Sequence, residues 1–366
     1  MTLILNNDEI TQLLPMADCL GQLDAAYRDL GEGNAISRTR SDIYGPIHDN
    51  GRYVFKTMDG MVPRFEAAAV RLNSDVIRWG AGPGGIRKDK QRTAPGEKFV
   101  GLILLFSTRN GEPLAIMPDG VIQRLRVACT NALGAKYMAA PDASVYALIG
   151  SGWQASAQAT AMALVRPLKE IRIYSPTPAK RERLATELKE QLGIDVRAVD
   201  DARTAVRGAH IVGTATNSLS PVLDADWLEP NAHVTCVKEL ELDDRILERS
   251  AQVIVHTRLG RPANYIMGKG DEPIYDHDPK GGLAEDLQKI RGARKSRLDL
   301  ADRPDLGELV CGHVQPPPHG GITCFVNVIG LGLQFAALGA LAHQKAKAGG
   351  IGREIPTDWL LENEHP

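Results

Sequence analysis

Val145-Tyr146-Ala147-Leu148-Ile149-Gly150-Ser151-Gly152-Trp153-Gln154-Ala155 is the stretch on which the reading of the fold turns. A short apolar run that ends at glycine reads as a strand buried on both faces, as parallel sheets require. Gly150-x-Gly152-x-x-Ala155 then offers what a dinucleotide-binding turn needs. The first glycine permits the tight turn, the second lets backbone approach a pyrophosphate, and the small third residue lets helix and strand pack closely. Amide groups at the start of the helix, expected over 154–165, would hold the phosphates. The plainer alternative is an ordinary strand–turn–helix with convenient glycines, and the surrounding pattern decides between the two.

That pattern is a strand–helix alternation. Strands are expected at Ile171–Tyr174, Asp195–Val199, Ile211–Thr214, Val234–Val237 and Val253–Val255, with helices at Pro178–Gln191 and Asp201–Val206 between them. Such alternation produces a parallel sheet with crossover helices. A helix rich in small residues, Gln123–Ala139, precedes it and stops before Pro141. The C-terminal stretch Ile322–Lys347 reads as one long apolar helix that packs back on the N-terminal region.

The N-terminal region has another character. A short strand and a helix over the first 30 residues give way, from Tyr44 to Ser107, to strands broken by Gly and Pro. Tyr53–Lys56, Ala67–Leu72 and Val100–Phe106 are strand candidates. Arg109-Asn110-Gly111-Glu112 is a hairpin turn leading into Pro113–Met117. Arg78–Lys98, rich in Gly, Pro and charge, shows no periodicity and reads as a long functional loop, with Arg87–Arg92 as its solvated basic cluster. The fold class is therefore α/β, a Rossmann-type parallel sheet combined with a separate substrate-binding region.

Composition narrows the function. The 366 residues are 43% hydrophobic and 24% charged, with a formal net charge of -2, so no global field favours nucleic acid or an acidic membrane. The five cysteines (Cys19, Cys129, Cys236, Cys311, Cys324) are scattered without a CxxC pair, which points to reduced thiols in the cytoplasm and away from a zinc site. No basic, apolar leader opens the chain, and no uninterrupted apolar run approaches the roughly 18 residues that a bilayer span requires. His210, His256, His313 and His319 lack metal-ligand spacing, and no GxSxG or HExxH occurs, so no metal site is expected.

An NAD site usually ends its second strand with an acid on the ribose, about 20 residues after the turn. Here Tyr174 is followed by Ser175-Pro176-Thr177-Pro178-Ala179-Lys180-Arg181. Two hydroxyls and two cations suit a 2′-phosphate, so NADP(H) is favoured over NAD(H). Lys238 follows another sheet strand, where ligands of open α/β sheets bind, whereas most of Glu239–Asp244 reads as a solvated helix start. Cations near predicted strand ends (Arg38, Arg40, Arg52, Lys56, Arg71, Arg124, Arg126) suit a substrate carboxylate, although any one of them alone is more simply surface charge.

Taken in order, several segments resemble the ornithine cyclodeaminase/mu-crystallin family. They are Ser37-Arg38-Thr39-Arg40, Asn110–Ala115, Gln123–Ala128, Ile149–Ala155, Ile211–Ser218, Leu306–Gly312 and Gly321–Phe325. The resemblance implies a homodimer whose Rossmann domain (123–311) is inserted into a discontinuous substrate and dimerisation domain (1–122 plus 312–366). It implies hydride transfer at the α-carbon of an amino acid or cyclic imino acid. It assigns Arg40 to the substrate carboxylate and Arg126 to the junction of substrate and cofactor. Gly150, Gly152, Trp153, Gln154, Ser175, Thr177, Lys180, Thr214, Ala215, Thr216, Val237 and Lys238 are then the candidate cofactor contacts. Two departures matter. The family's usual strand lysine is Arg71 here, which joins Arg40 on the carboxylate and leaves proton transfer to Lys56. The aspartate loop of the cyclodeaminases is also replaced by Thr235–Leu240, which has no Asp. The expected activity is thus an NADP(H)-linked reductase or dehydrogenase. An ornithine cyclodeaminase recycling bound NAD, and a non-catalytic NADPH-binding protein, are the alternatives.

Overall fold

The computed structural model describes all residues except 48–50, 83–84, 219, 260–261, 274–299, 301, 318–319 and 365–366. His319 and the tip of the expected 78–98 loop lie outside the described residues. The chain opens with β1 (Thr2–Ile4), α1 (Asn7–Leu13) and α2 (Met16–Gly31), two helices where one was expected. Asn6 caps α1 by accepting from the amides of Asp8 and Glu9, and Pro15 divides α1 from α2. Next come β2 (Ile36–Ser37), β3 (Ser41–Pro46), β4 (Arg52–Val62), β5 (Ala67–Gly82), β6 (Gly85–Gln91), β7 (Val100–Ser107), β8 (Pro113–Pro118) and α3 (Gly120–Met138).

The Rossmann-type unit follows: β9 (Val145–Ile149), α4 (Trp153–Val165), β10 (Glu170–Tyr174), α5 (Pro178–Leu192), β11 (Asp195–Ala198), α6 (Ala202–Val206), β12 (Ile211–Thr214), β13 (His233–Cys236), α7 (Asp244–Arg249) and β14 (Gln252–Val255). The chain then passes through β15 (Ala263–Ile266), α8 (Leu306–Val310), β16 (Thr323–Val326), α9 (Gly332–Gly349) and β17 (Arg353–Ile355). Seven strands pair in parallel in the order β11-β10-β9-β12-β13-β16-β14. The order reverses at β9/β12, which makes the carboxyl ends of these strands the binding crevice of this fold.

Two expectations need correction. The stretch 322–347 is not one helix. Its first residues form β16, fully buried between β13 and β14, and only Gly332–Gly349 is helical. The β-branched and aromatic run Thr323-Cys324-Phe325-Val326 is a strand signal that the apolar character of the segment obscured. Nor is Arg78–Lys98 a loop throughout, since its described residues up to Gln91 are strand. β5 and β6 form a long antiparallel hairpin pairing Val76 with Gln91 and Gly82 with Gly85. The run Arg87-Lys88-Asp89-Lys90 is charged at every position, so no alternation of apolar and polar residues reveals the strand.

The other sheet runs β15-β3-β4-β5-β7-β8-β1-β17, with β2 on β4 and β6 on β5. Helix α9 lies across β4 and β5 and against α2, as its apolar sequence led one to expect. Its start touches β4 backbone to backbone. A Cβ on Gly332 would lie 1.9 Å from the Asp59 carbonyl carbon, and one on Gly60 2.2 Å from the Leu333 amide. This contact brings Gln334 and Phe335 down onto the sheet.

Candidate functional site

Period-two geometry builds the floor of the site. Arg71, Asn73 and Asp75 alternate along β5, so all three face α9, and Lys56 on β4 lies directly opposite Asn73. Asp42 on β3 lies opposite Lys56 in turn. The result is a buried polar band: Asp42, Lys56, Arg71, Asn73 and Asp75 are each less than 9% exposed.

Its charges are interlocked. Arg40 donates to Asp42 at 2.8 and 2.9 Å through its forked guanidinium. Lys56 Nζ lies 2.6 Å from Asp75 Oδ2, which also meets Lys90 Nζ from the hairpin at 2.9 Å. Arg71 bonds Asp119, at the end of β8, and Asn73 donates to the same carboxylate at 3.1 Å. Burial, and then the charge of Lys90, lower the Lys56 ammonium to about 8 despite Asp75. Burial pushes the Asp75 carboxyl up, but Lys56 and Lys90 outweigh it and hold the group below its ordinary value.

Arg126, on α3, is different. It is 5% exposed, and its guanidinium donates to the amide oxygens of Gln123 (3.2 Å) and Gln334 (3.3 Å). Among the described residues no carboxylate forms an ion pair with it. Burial, and next the nearby Arg71, lower its pKa to about 9. Arg71 and Arg126 both approach the Phe335 ring, at 5.4 and 5.8 Å from its centre. Gln334 is fixed in turn by the buried hydroxyls of Tyr27 and Thr130, each 2.8 Å from its Nε2. The Tyr27 hydroxyl also bonds His256, whose imidazole burial lowers to about 3. His256 therefore belongs to a support beneath Arg126.

Two residues before Arg126, Arg124 turns towards the parallel sheet. It bonds the Ser156 hydroxyl in the first turns of α4, and its guanidinium lies 5.8 Å from the centre of the Trp153 ring. Helix α3 thus links the charged band to the glycine turn.

The turn itself fits a dinucleotide. Gly150 has φ +130°, and a Cβ there would lie 2.3 Å from the Ala215 carbonyl oxygen, so only glycine is accommodated. Nothing lies within 4 Å of a Cβ on Gly152, which caps α4 without any side-chain hydrogen bond. Open space before uncapped amides at a helix start is what a pyrophosphate requires. Gly150 contributes the turn geometry, Gly152 the open space, and Trp153 and Gln154 open the helix.

Beside the turn, Glu241, from the stretch whose charges were mostly expected to be solvated, is fully buried. Its carboxylate accepts from Thr214 Oγ1 (2.9 Å), from the Thr216 amide and hydroxyl (2.5 and 2.6 Å), and from the Val237 and Lys238 amides (3.2 and 3.1 Å). It thereby clamps the carboxyl ends of β12 and β13, with Ala215 and Lys238, at the crevice. Burial raises its pKa.

At the end of β10, the Ser175 hydroxyl bonds the Ser151 hydroxyl at 2.6 Å. Thr177 and Lys180 are exposed. Arg181, expected as a second cation for a phosphate, is buried instead and spends its donors on the Ser175 carbonyl and Asp200. The basic stretch 87–92 is strand as far as Gln91 where a loop was expected, and its half-exposed Lys90 reaches the buried Asp75.

Sequence reasoning found Arg40, Lys56, Arg71 and Arg126 but missed Asp42, Asp75, Lys90, Asp119, Gln334, Phe335 and Glu241. The signal for Asp75 was available in the alternation Arg71-x-Asn73-x-Asp75. The others depend on long-range register. Among the described residues no group of three or more His, Cys, Asp or Glu forms a metal site, and no helix is long and apolar enough to cross a membrane.

Residues 1–262 match the model of the ornithine cyclodeaminase/mu-crystallin family. An uncharacterized cyclodeaminase of Sinorhizobium fredii is 28% identical over 356 residues, covering 95% of this chain and 97% of that protein. The ketimine reductase mu-crystallin of Macropus fuliginosus is 28% identical over 229 residues, 61% of this chain and 67% of its own. Among solved structures, Thermococcus litoralis Δ1-pyrroline-2-carboxylate reductase, in complex with NADH and L-proline, matches with a TM-score of 0.74. It covers 97% of this chain and 100% of that one at 24% identity. Its likeness shows that the two share a fold.

Proposed function

The chain belongs to the ornithine cyclodeaminase/mu-crystallin family, and from that premise we propose that it is an NAD(P)H-linked reductase of C=N bonds adjacent to a carboxylate. The reverse reaction is amino-acid dehydrogenation. The observation that carries the reading is Arg126, a buried guanidinium without a carboxylate partner among the described residues, two residues along the same helix from the Arg124 contact with α4. A buried unpaired cation is costly by several kcal/mol and is kept where a ligand anion completes it. Relatives named ketimine reductase and Δ1-pyrroline-2-carboxylate reductase support the class of substrate.

When bound, the nicotinamide supplies a hydride to the imine carbon and becomes oxidised. The residues of this chain do the rest. Arg126 holds the carboxylate, a role the sequence reading gave to Arg40 and Arg71; those two already have carboxylate partners in Asp42 and Asp119 and complete the positive wall. Lys56 delivers a proton to the nitrogen, so that C=N becomes CH–NH. Asp75 holds the Lys56 ammonium in place. Gly150, Gly152 and the start of α4 seat the pyrophosphate, and Glu241 fixes Thr214–Thr216 and Val237–Lys238 along it.

For the cofactor we favour NADP(H). Ser175 stands where an acid would repel a 2′-phosphate, and Thr177 and exposed Lys180 are available to bind it. A homodimer is part of the same reading: Ile36, Ile43, Tyr53, Met61, Val100 and Leu102 are exposed on the face of the large sheet turned away from α9. We place the protein in the cytoplasm, where its five free thiols stay reduced. The proposed substrate and dimerisation domain is 1–122 plus 312–366, with 123–311 as the dinucleotide domain. In this division β16 is lent by the former to the sheet of the latter.

The cyclodeaminase alternative needs an acid free to act on an amine. Glu241, the buried acid of the 235–241 region, has its oxygens committed to five donors. The test is stoichiometry. Reduced cofactor should be consumed one-for-one with a cyclic imino acid, whereas ammonia release from ornithine at constant cofactor would contradict the reading.

A further inference from the structure

The charged band is not neutral. Five cations surround the site among the described residues, Arg40, Lys56, Arg71, Lys90 and Arg126, and three carboxylates oppose them: Asp42, Asp75 and Asp119. Arg40 with Asp42 and Arg71 with Asp119 are matched one to one. Two positive charges remain in excess when Lys56 is protonated, as proton delivery requires. One is Arg126, deep in the site. The other arises because Lys56 and Lys90 share the single carboxylate of Asp75. Arg40 acts electrostatically on both Lys56 and Arg126, so the two excess charges belong to one array.

An α-carboxylate answers only one of them. We propose that the substrate is an imino or amino dicarboxylic acid, its α-carboxylate on Arg126 and its second carboxylate at the Lys56–Lys90 end. This assignment rests on the reading of the site as an imine-reductase pocket. Lys90 is the specificity-determining residue. Its side chain is 43% exposed, at the mouth of the site, and is brought there by the β5–β6 hairpin, where Lys90 pairs with Ile77. A second acidic group arriving there replaces solvent around a half-exposed ammonium and relieves the crowding of two cations on one carboxylate. A substrate with a cationic side chain meets the opposite field and is rejected. The reaction is unchanged in balance: hydride to the imine carbon, a proton to nitrogen, one reduced cofactor oxidised for each C=N reduced.

The experiment compares imines formed in solution from ammonia and oxaloacetate or 2-oxoglutarate with those formed from ammonia and pyruvate, and with Δ1-pyrroline-2-carboxylate. Loss of reduced cofactor is followed with the wild-type chain and with Lys90→Ala. The expected result is a kcat/KM at least about tenfold higher for the dicarboxylic imines. In Lys90→Ala that preference ratio should fall by about tenfold, chiefly through KM. Equal or better turnover of the monocarboxylic imines overturns the dicarboxylic assignment and leaves the reductase reading intact. A dicarboxylic preference that survives Lys90→Ala unchanged overturns the role of Lys90. No consumption of cofactor with any imine, although NADPH binds, defeats the reductase reading and the inference with it.

Discussion

Arg71 and Arg126, from a strand and a helix 55 residues apart in sequence, bring their guanidiniums to within 5.4 and 5.8 Å of the centre of one ring, that of Phe335. Like charges at such closeness are held by different means. Arg71 is neutralised by Asp119, whereas Arg126 has only amide oxygens. The aromatic surface favours both cations but does not replace a counter-ion. Removing Arg126 should therefore separate function from stability. Arg126→Met is expected to lower kcat/KM by roughly 30-fold to several thousand-fold, the ~2–5 kcal/mol typical of truncating one partner of a buried charge pair. It should leave the thermal midpoint level or raise it, because an unpaired buried charge is lost. Steady-state kinetics beside a melting curve checks both.

Lys56 sets the pH dependence. Its pKa is lowered to about 8, so its charged form declines as pH rises through that value. Imine reduction, which takes a proton from the ammonium, is expected to be level below pH 8 and to fall tenfold per unit above it. Amino-acid oxidation, which returns the proton, should rise over the same range. In Lys56→Met the alkaline limb should disappear along with most of the rate. A limb that persists in the variant would assign it to another group.

Glu241 should report on the cofactor. In Glu241→Ala, the Thr214 and Thr216 hydroxyls and the Thr216 and Lys238 amides lose their acceptor, while the Val237 amide keeps the Thr214 carbonyl. Each buried donor left unsatisfied costs about 1–3 kcal/mol. The expected outcome is a lower thermal midpoint and NADPH binding weakened about tenfold or more by fluorescence titration, with a smaller effect on substrate KM.

Gly150→Ala should be damaging for a different reason. The added Cβ meets the Ala215 carbonyl oxygen in a backbone conformation that side chains avoid. Loss of dinucleotide binding with a stability cost of about 1–3 kcal/mol is expected. Gly152→Ala, with open space around its Cβ, should fold normally and affect the cofactor alone.

The parallel sheet was legible because its strands are short apolar runs between helices of regular period, and Val145–Ile149 was placed to the residue. β16 was not, because it reaches the sheet from far along the chain and its apolar neighbours continue into α9. The cations of the site were visible as residue types, and Arg40 and Arg126 were picked out by their motifs. Their counter-ions were not, since Asp75 becomes a partner only through strand register, and Asp119 only because the end of β8 reaches β5 across Gly101 of β7. Lys90 was hidden in a segment whose polarity resembles that of a loop. Arg181 shows the reverse error: a cation at a suggestive position can be buried and bound within its own fold.

The most direct test of the central claim compares two imines that differ only in the group Arg126 is said to hold. Oxidation of NADPH should be measured with Δ1-pyrroline-2-carboxylate and with Δ1-pyrroline, which lacks the carboxylate. Consumption of cofactor with the first, and at least about a hundredfold less kcat/KM with the second, is the predicted result. Equal rates with both, or consumption with neither while NADPH binds, would contradict the account.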